Sequence, residues 1–215
     1  MKKELLGKAL ACAGAMGLLI LGGGRAEAAL IVLAPSITAA AGSSGAFDIV
    51  LQNTGGASVS IGGFSFGIST TNAGILFTGA TIFTVPTYIF AGDSINGPGP
   101  LVFTTSSGMS LIASDNPLLA TSFPVAAGAT VGLGHVSYSI SAGAASGPFA
   151  ITLTPAATSL SSAAGANIPI TTLTNGSLTV TATPEPASMG MFGMFVLASG
   201  LIAKRRRQRS LLMPS

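Results

Sequence analysis

Charge and sulfur are scarce in this 215-residue chain. Only 7% of its residues are charged, tryptophan is absent, and Cys12 is the single cysteine. No lysine or arginine occurs between Ala29 and Thr183. A stretch without cations cannot neutralise phosphates, so it excludes nucleic acid as a partner of this region. It also has no cysteine, so it can form neither a disulfide nor a cysteine-bound metal site.

Residues 1–28 read as a secretory signal peptide. A lysine-rich start precedes the apolar run Ala9–Leu21, and Ala26 and Ala28 form a small-x-small cleavage site. The lysines are Lys2, Lys3 and Lys8. We expect export through the Sec translocon and cleavage by signal peptidase after Ala28. The alternative is an uncleaved N-terminal anchor, which the short, interrupted apolar run disfavours.

Apart from Arg25, the other cations lie in a C-terminal segment of three parts. Pro184, Glu185 and Pro186 come first, and the uncharged run Ala187–Ala203 follows. As a helix this run of 17 residues would span about 26 Å, the short limit for crossing a bilayer. A basic cluster then stops transfer and holds the end in the cytoplasm. It consists of Lys204, Arg205, Arg206, Arg207 and Arg209.

These three parts, in this order, resemble the PEP-CTERM sorting signal of Gram-negative bacteria over residues 183–209. The resemblance implies recognition of Pro184, Glu185 and Pro186 by an exosortase. It also implies transient anchoring in the inner membrane through residues 187–203, then release to the cell surface or to an exopolysaccharide biofilm matrix. Residues 210–215 extend the cytoplasmic end beyond the family's pattern. The same segment is also consistent with a plain C-terminal anchor behind a proline-rich hinge.

Residues 29–182 form the body, which is long enough for one domain. Apolar and polar residues alternate with a period of two between turns rich in Gly, Asn and Pro, which predicts short β-strands. The predicted strands are Ala29–Leu33, Phe47–Leu51, Val59–Ile68, Ile75–Val85, Leu101–Thr105, Met109–Ala113, Ala129–Ile140, Phe149–Leu153 and Leu178–Val180. The spacing of the turns favours an all-β fold, a single antiparallel β-sandwich.

The segment from Val131 to Val180 carries a second resemblance. A Leu-Gly-x-Val-x-Tyr-x-Ile strand precedes a Gly-Pro-Phe strand and a final Asn-Gly-Ser-Leu-Thr-Val strand. Together with the Phe47–Ile68 region, this pattern is similar to cohesin and carbohydrate-binding-module jelly-roll sandwiches. It implies the sandwich fold and does not specify a ligand.

Few side chains in the body could support catalysis. His135 could form a Ser/His/Asp arrangement, but its strand position predicts a solvated ring. No Gly-x-Ser-x-Gly nucleophile elbow appears either, because the one match to that pattern, Gly63 to Gly67, lies inside the predicted strand Val59–Ile68. Asp93 or Asp115 could contribute to a calcium site with loop carbonyls, although neither has the acidic spacing of a known motif. Asp115 before Asn-Pro is typical of a turn. We therefore expect no enzyme, no cofactor and no metal.

Two binding activities remain as minor alternatives. Thr179, Thr181 and Thr183 place three hydroxyls on one strand face, a small version of an ice-binding surface, although solvated threonines are ordinary in strands. Exposed rings at Tyr88 or Tyr138 would favour a module that binds a glycan or a partner protein, and burial of both would count against it. The sequence thus predicts an exported, non-enzymatic surface or matrix protein, the alternative being an envelope-anchored module that binds a glycan or a partner protein.

Overall fold

The computed structural model describes residues 27–97, 101–106 and 108–182. The predicted signal peptide, except for its last two residues, and the predicted membrane-spanning run at 187–203 lie outside the described residues. Fifteen strands occur in the described part. They are β1 (Leu30–Leu33), β2 (Ser36–Ala40), β3 (Ser44–Asn53), β4 (Val59–Ile61), β5 (Gly63–Ser69), β6 (Ile75–Thr81), β7 (Val102–Ser106), β8 (Ser110–Asp115), β9 (Phe123–Val125), β10 (Thr130–Ile140), β11 (Gly147–Leu153), β12 (Ser159–Ser161), β13 (Asn167–Ile168), β14 (Thr172–Thr174) and β15 (Gly176–Thr181).

The strands form two facing sheets, as the predicted all-β sandwich requires. The first sheet has the order β14-β1-β3-β10-β6, and the second has the order β13-β12-β5-β11-β15-β2. Strand β8 pairs with β5 and with β7, which extends the second sheet at that position. Strands β4 and β9 form a small separate ladder. Within the described part, no helix has the length and apolarity to cross a bilayer.

Alternating side chains build the core between the sheets. In β3 the side chains of Phe47, Ile49 and Leu51 are buried, whereas the residues between them are partly exposed. In β5 the side chains of Phe66 and Ile68 point inward in the same way. The period-two pattern read from the sequence therefore predicted the buried face of these strands, because successive side chains of a strand point to opposite faces.

The sandwich is not purely antiparallel, which corrects the sequence-based prediction. Strand β1 pairs in parallel with β14, and β2 pairs in parallel with β15. The chain passes from the first sheet to the second at Pro35, between β1 and β2. Gly176 lies against the Pro35 carbonyl, where a Cβ atom would collide with that oxygen. The crossing therefore depends on glycine at this position.

Two predicted strands were too long. The Val59–Ile68 region divides into β4 and β5 because the backbone of Ala163 approaches Gly62, within 2.6 Å of where a Cβ would lie. The Ile75–Val85 region ends as a strand at Thr81, and residues 82–97 form a loop across one end of the sandwich. Strands β2, β9, β12, β13 and β14 were not predicted, since four of them have five residues or fewer without a clear apolar alternation and β9 contains a proline.

Strand directions place Asp115 and the C-terminus of the body at opposite ends of the sandwich. Asp115, at the end of β8, is in register with Phe64 at the start of β5. Strand β15 runs in the same direction as β5, since β11 is antiparallel to both. Counting residues from β5 through β11 to β15 in this register places Val180 roughly 30 Å from Phe64 in the strand direction. The C-terminus of the body thus leaves the sandwich at the end remote from Asp115.

Candidate partner-binding surface

A buried carboxylate organises one end of the sandwich. Asp115 is 2% exposed, and its two oxygens accept four hydrogen bonds. Oδ2 accepts from the hydroxyl of Tyr88 at 2.5 Å and from that of Ser94 at 2.6 Å. Oδ1 accepts from the amide of Asn96 at 2.6 Å and from the backbone N–H of Asn116 at 2.9 Å. Asp115 therefore does more than begin the predicted turn: it ties the 86–97 loop to the end of β8.

Among these donors, the hydroxyl of Tyr88 has a strongly shifted pKa. Its ring packs edge-on against Phe64 and Phe90, and burial raises the pKa of its hydroxyl well above the usual range. The hydrogen bond to Asp115 and the negative charge of that carboxylate raise the pKa further. The phenol consequently remains a donor, because ionising it would place two negative charges against each other in a poorly solvated site.

Asp93 also holds two loop segments together, at a position nearer to the solvent. Its carboxylate accepts the backbone N–H groups of Leu119 and Ala120, both at 2.8 Å, and its carbonyl accepts the N–H of Leu118 at 2.6 Å. The backbone N–H of Ile95 in turn donates to the carbonyl of Asn116 at 2.9 Å. The 93–97 and 116–120 segments are thus bonded to each other along their backbones.

Aliphatic side chains project from these two fixed segments. Ile95, Leu118 and Leu119 are 57%, 60% and 86% exposed. We call these three residues the docking tip. Exposed aliphatic side chains on a backbone held by hydrogen bonds are typical of interaction sites, because little conformational entropy is lost when a partner covers them. Apart from the side chains of Asp93 and Asp115, nothing in the sequence indicates this arrangement.

His135 lies elsewhere, paired with Asp48. Nδ1 of His135 is 2.6 Å from Oδ1 of Asp48, across the β3–β10 register. The other carboxylate oxygen accepts the backbone N–H of Val85 at 2.8 Å. The predicted solvated ring is half-buried and paired. No serine hydroxyl within the described residues hydrogen-bonds to it, so these residues do not assemble a Ser/His/Asp triad.

The carboxylates considered for calcium are occupied by donors. Both oxygens of Asp115 and both of Asp93 accept N–H or O–H groups, the opposite of what a cation site requires. Across the described ranges, no three His, Cys, Asp or Glu side chains gather to hold a metal ion. These aspartates therefore have a structural role.

The remaining predicted residues fall in three places. Tyr88 and Tyr138 are both buried, so neither ring offers a platform for sugar stacking. Thr179 and Thr181 share the outward face of β15, opposite the buried Leu178 and Val180, as predicted. Ala28 precedes β1, where the carbonyl of its neighbour Glu27 accepts the N–H of Gly56 at 3.1 Å.

The other predicted residues lie outside the described part of the chain. They are Ala26, Thr183, Pro184, Glu185, Pro186, Lys204, Arg205, Arg206, Arg207 and Arg209.

The architecture is that of cohesin domains. The third ScaC cohesin of Acetivibrio cellulolyticus, solved with the ScaB dockerin, matches with a TM-score of 0.53 and 15% identity over 71% of this chain and 99% of its own. The seventh ScaB type I cohesin of Pseudobacteroides cellulosolvens has a TM-score of 0.51 and 14% identity over 74% of this chain and 96% of its own.

A third similar structure comes from an archaeon. The non-cellulosomal cohesin of Archaeoglobus fulgidus matches with a TM-score of 0.51 and 13% identity over 75% of this chain and 97% of its own. No protein-family model matches the sequence, and a search of curated proteins found no match. The likeness therefore establishes a cohesin-like sandwich fold, as the resemblance in the body implied.

Proposed function

We propose that the body is a non-enzymatic binding module that engages a partner protein through the docking tip. The observation that carries the proposal is that Asp93 and Asp115, half of the four carboxylates in the described residues, hold the two segments that expose Ile95, Leu118 and Leu119. Burying the carboxylate of Asp115 to hold a loop in place is costly in desolvation and adds no apolar core. A preformed binding surface explains that cost.

The fold supports the same conclusion. Solved structures with this architecture include a cohesin in complex with a dockerin, so dockerin modules are the first class of partner to test. Burial of Tyr88 and Tyr138 argues against a glycan as the primary ligand of the body. The pairing of His135 with Asp48, without a nucleophile, argues against hydrolysis.

The test compares three forms of the protein. Wild type, a tip variant (Ile95→Ser with Leu118→Ser and Leu119→Ser), and a control (Leu76→Ser) are immobilised and exposed to purified dockerin modules and to secreted proteins of the host. Leu76 is an exposed leucine at the opposite end of the sandwich. We expect wild type and control to retain the same partner and the tip variant to lose it with its thermal midpoint unchanged. Equal retention by all three forms would contradict the proposal.

The cellular context is a second part of the proposal. Export by the Sec pathway, processing by an exosortase at Pro184, Glu185 and Pro186, and a final place at the cell surface or in an exopolysaccharide matrix are supported by the order of motifs at the two ends. The body's C-terminus leaves about 30 Å from the docking tip along the strands. A protein held through that end would present the tip away from its anchor.

Intact mass spectrometry of the membrane and secreted fractions tests this context. A mass corresponding to a chain from Ala29 to near Pro184, with or without added glycan, is the expected result. If the protein in the membrane fraction has a mass that still includes residues 187–215, this segment is a permanent anchor. That result would exclude processing by an exosortase.

A further inference from the structure

Strand β3 is longer than the strand beside it. It pairs with β10 from Ser44 to Gln52, but on its other side β1 covers only Val50 to Asn53. At Pro35 the chain leaves the first sheet, and β2 continues in the second. In the described part of the chain, no strand takes the place of β1 beside residues 44–49.

The hydrogen-bond phase of β3 shows which groups face this open side. The carbonyl of Ser43 accepts from Ile140, and the backbone N–H of Asn53 donates to the carbonyl of Ala129. Odd-numbered residues of β3 therefore direct their backbone groups toward β10, and even-numbered residues direct theirs away from it. The N–H and C=O groups of Ser44, Ala46 and Asp48 point to the open edge.

An apolar groove runs along the same edge. It has a volume of about 470 Å³ and lies between the β1–β2 crossing and β3. We call it the β3-edge groove. Its lining residues are Leu33, Ala34, Pro35, Ile37, Ala46, Phe47, Asp48, Val50 and Val85. Val85 is 84% exposed, although its backbone is fixed by the hydrogen bond to Asp48.

We propose that the β3-edge groove binds an extended, basic segment of a partner protein by adding it as a strand beside residues 44–48. The open backbone groups of Ala46 and Asp48 would bond to that strand, and its apolar side chains would enter the groove. This site is separate from the docking tip and does not rest on it.

Charge selects the partner. The described residues contain four carboxylates, Glu27, Asp48, Asp93 and Asp115, and no lysine or arginine. Asp48 lines the groove, where Nδ1 of His135 lies against one of its oxygens and the backbone N–H of Val85 donates to the other. A basic strand therefore meets a complementary field, whereas a second copy of this domain would bring the same negative charges to the interface.

The chain's own C-terminal segment fits poorly, because its basic cluster at 204–209 is expected to stay on the cytoplasmic side of the membrane and the part nearest the body is Pro184, Glu185 and Pro186. Pro184 and Pro186 cannot donate backbone hydrogen bonds to an open edge. Glu185 would add a negative charge near Asp48. We therefore assign the groove to a partner chain.

The test uses the full-length protein and two synthetic peptides. The probe is acetyl-(Lys-Val)3-amide, and the control peptide replaces each lysine by glutamate. Hydrogen exchange of the Ala46 and Asp48 amides reports on the edge, and fluorescence anisotropy gives the affinity. We expect the basic peptide to slow exchange at both amides at least tenfold, and the acidic peptide to bind at least tenfold more weakly.

Matched variants separate strand addition from nonspecific charge attraction. Ala46→Pro removes one donor from the open edge, a position where sheets tolerate proline. Val85→Lys adds a cation at the groove, and Leu119→Lys adds one on an equally exposed aliphatic residue of the docking tip. Ala46→Pro and Val85→Lys should each weaken binding of the basic peptide at least tenfold, and Leu119→Lys should change its affinity little.

Three outcomes would overturn this proposal. The first is unchanged affinity in folded Ala46→Pro and in Val85→Lys, and the second is equal binding of both peptides. The third is a dimer in sedimentation that Ala46→Pro dissociates, which would assign the edge to a second copy of the chain.

Discussion

Alkaline pH should destabilise the body through Tyr88. Its pKa is raised in the folded state, first by burial and then by Asp115, whereas in the unfolded chain the phenol titrates at its ordinary value near 10. A group whose folded-state pKa is raised stabilises the fold fully below the unfolded pKa and loses that contribution as pH rises above it. The predicted window therefore begins at about pH 10.

The size of the effect follows from linkage. While Tyr88 stays protonated in the folded protein and ionises in the unfolded one, the free energy of unfolding falls by about 1.4 kcal/mol per pH unit. Between pH 10 and pH 12 this amounts to about 2–3 kcal/mol. Burial also raises the pKa of Tyr138, which adds a loss of the same sign. No lysine, arginine or cysteine side chain occurs in residues 27–97, 101–106 and 108–182 to obscure this titration.

Urea unfolding at pH 8, 10, 11 and 12 measures the effect, and absorbance of tyrosinate reports ionisation directly. We expect wild type to lose about 2–3 kcal/mol more than Tyr88→Phe between pH 10 and pH 12. Tyrosinate from Tyr88 should form only with unfolding. Equal pH slopes for wild type and Tyr88→Phe, or ionisation of Tyr88 in the folded protein, would refute the reasoning.

Three further substitutions test the loops at this end. Asp115→Asn replaces an acceptor by a donor against four existing donors and should lower the free energy of unfolding in urea by about 3 kcal/mol, whereas Asp93→Asn, nearer the solvent, should cost about 1 kcal/mol. Gly132→Ala would place a Cβ atom against the Thr84 side chain and should cost about 1–3 kcal/mol by calorimetry; an unchanged midpoint would show that the 82–87 loop moves aside freely.

The strands that the sequence predicted best are those with a clear period of two. β10 begins within one residue of the predicted Ala129 and ends at the predicted Ile140, since it is long and half-buried throughout. β2 was missed because four of the five residues of Ser36–Ala40 are small polar residues or alanine, and because it lies at a sheet edge, where burial imposes little pattern. Its parallel pairing with β15 depends on contacts more than 130 residues apart, as in Ser36 with Ser177.

The candidate site was harder to predict than the fold. Asp115 precedes Asn-Pro, a turn pattern, and nothing in that local sequence indicates that Tyr88 and Ser94 converge on its carboxylate. The one usable signal is scarcity. In a stretch with three aspartates and no cation, each carboxylate that becomes buried must be stabilised by neutral donors or by histidine.

That scarcity also explains how the loops are arranged. Asp93 and Asp115 accept only neutral N–H and O–H groups, and Asp48 combines one backbone N–H with His135. Each pairing fixes a loop that crosses an end or a face of the sandwich: the 93–97 and 116–120 segments in two cases and Val85 in the third. Because the described residues offer no arginine or lysine to compete for these oxygens, three carboxylates suffice to order the segments that expose the docking tip and border the β3-edge groove. The negative field that remains is uncompensated by cations of the body, and it is the property that a basic partner would recognise.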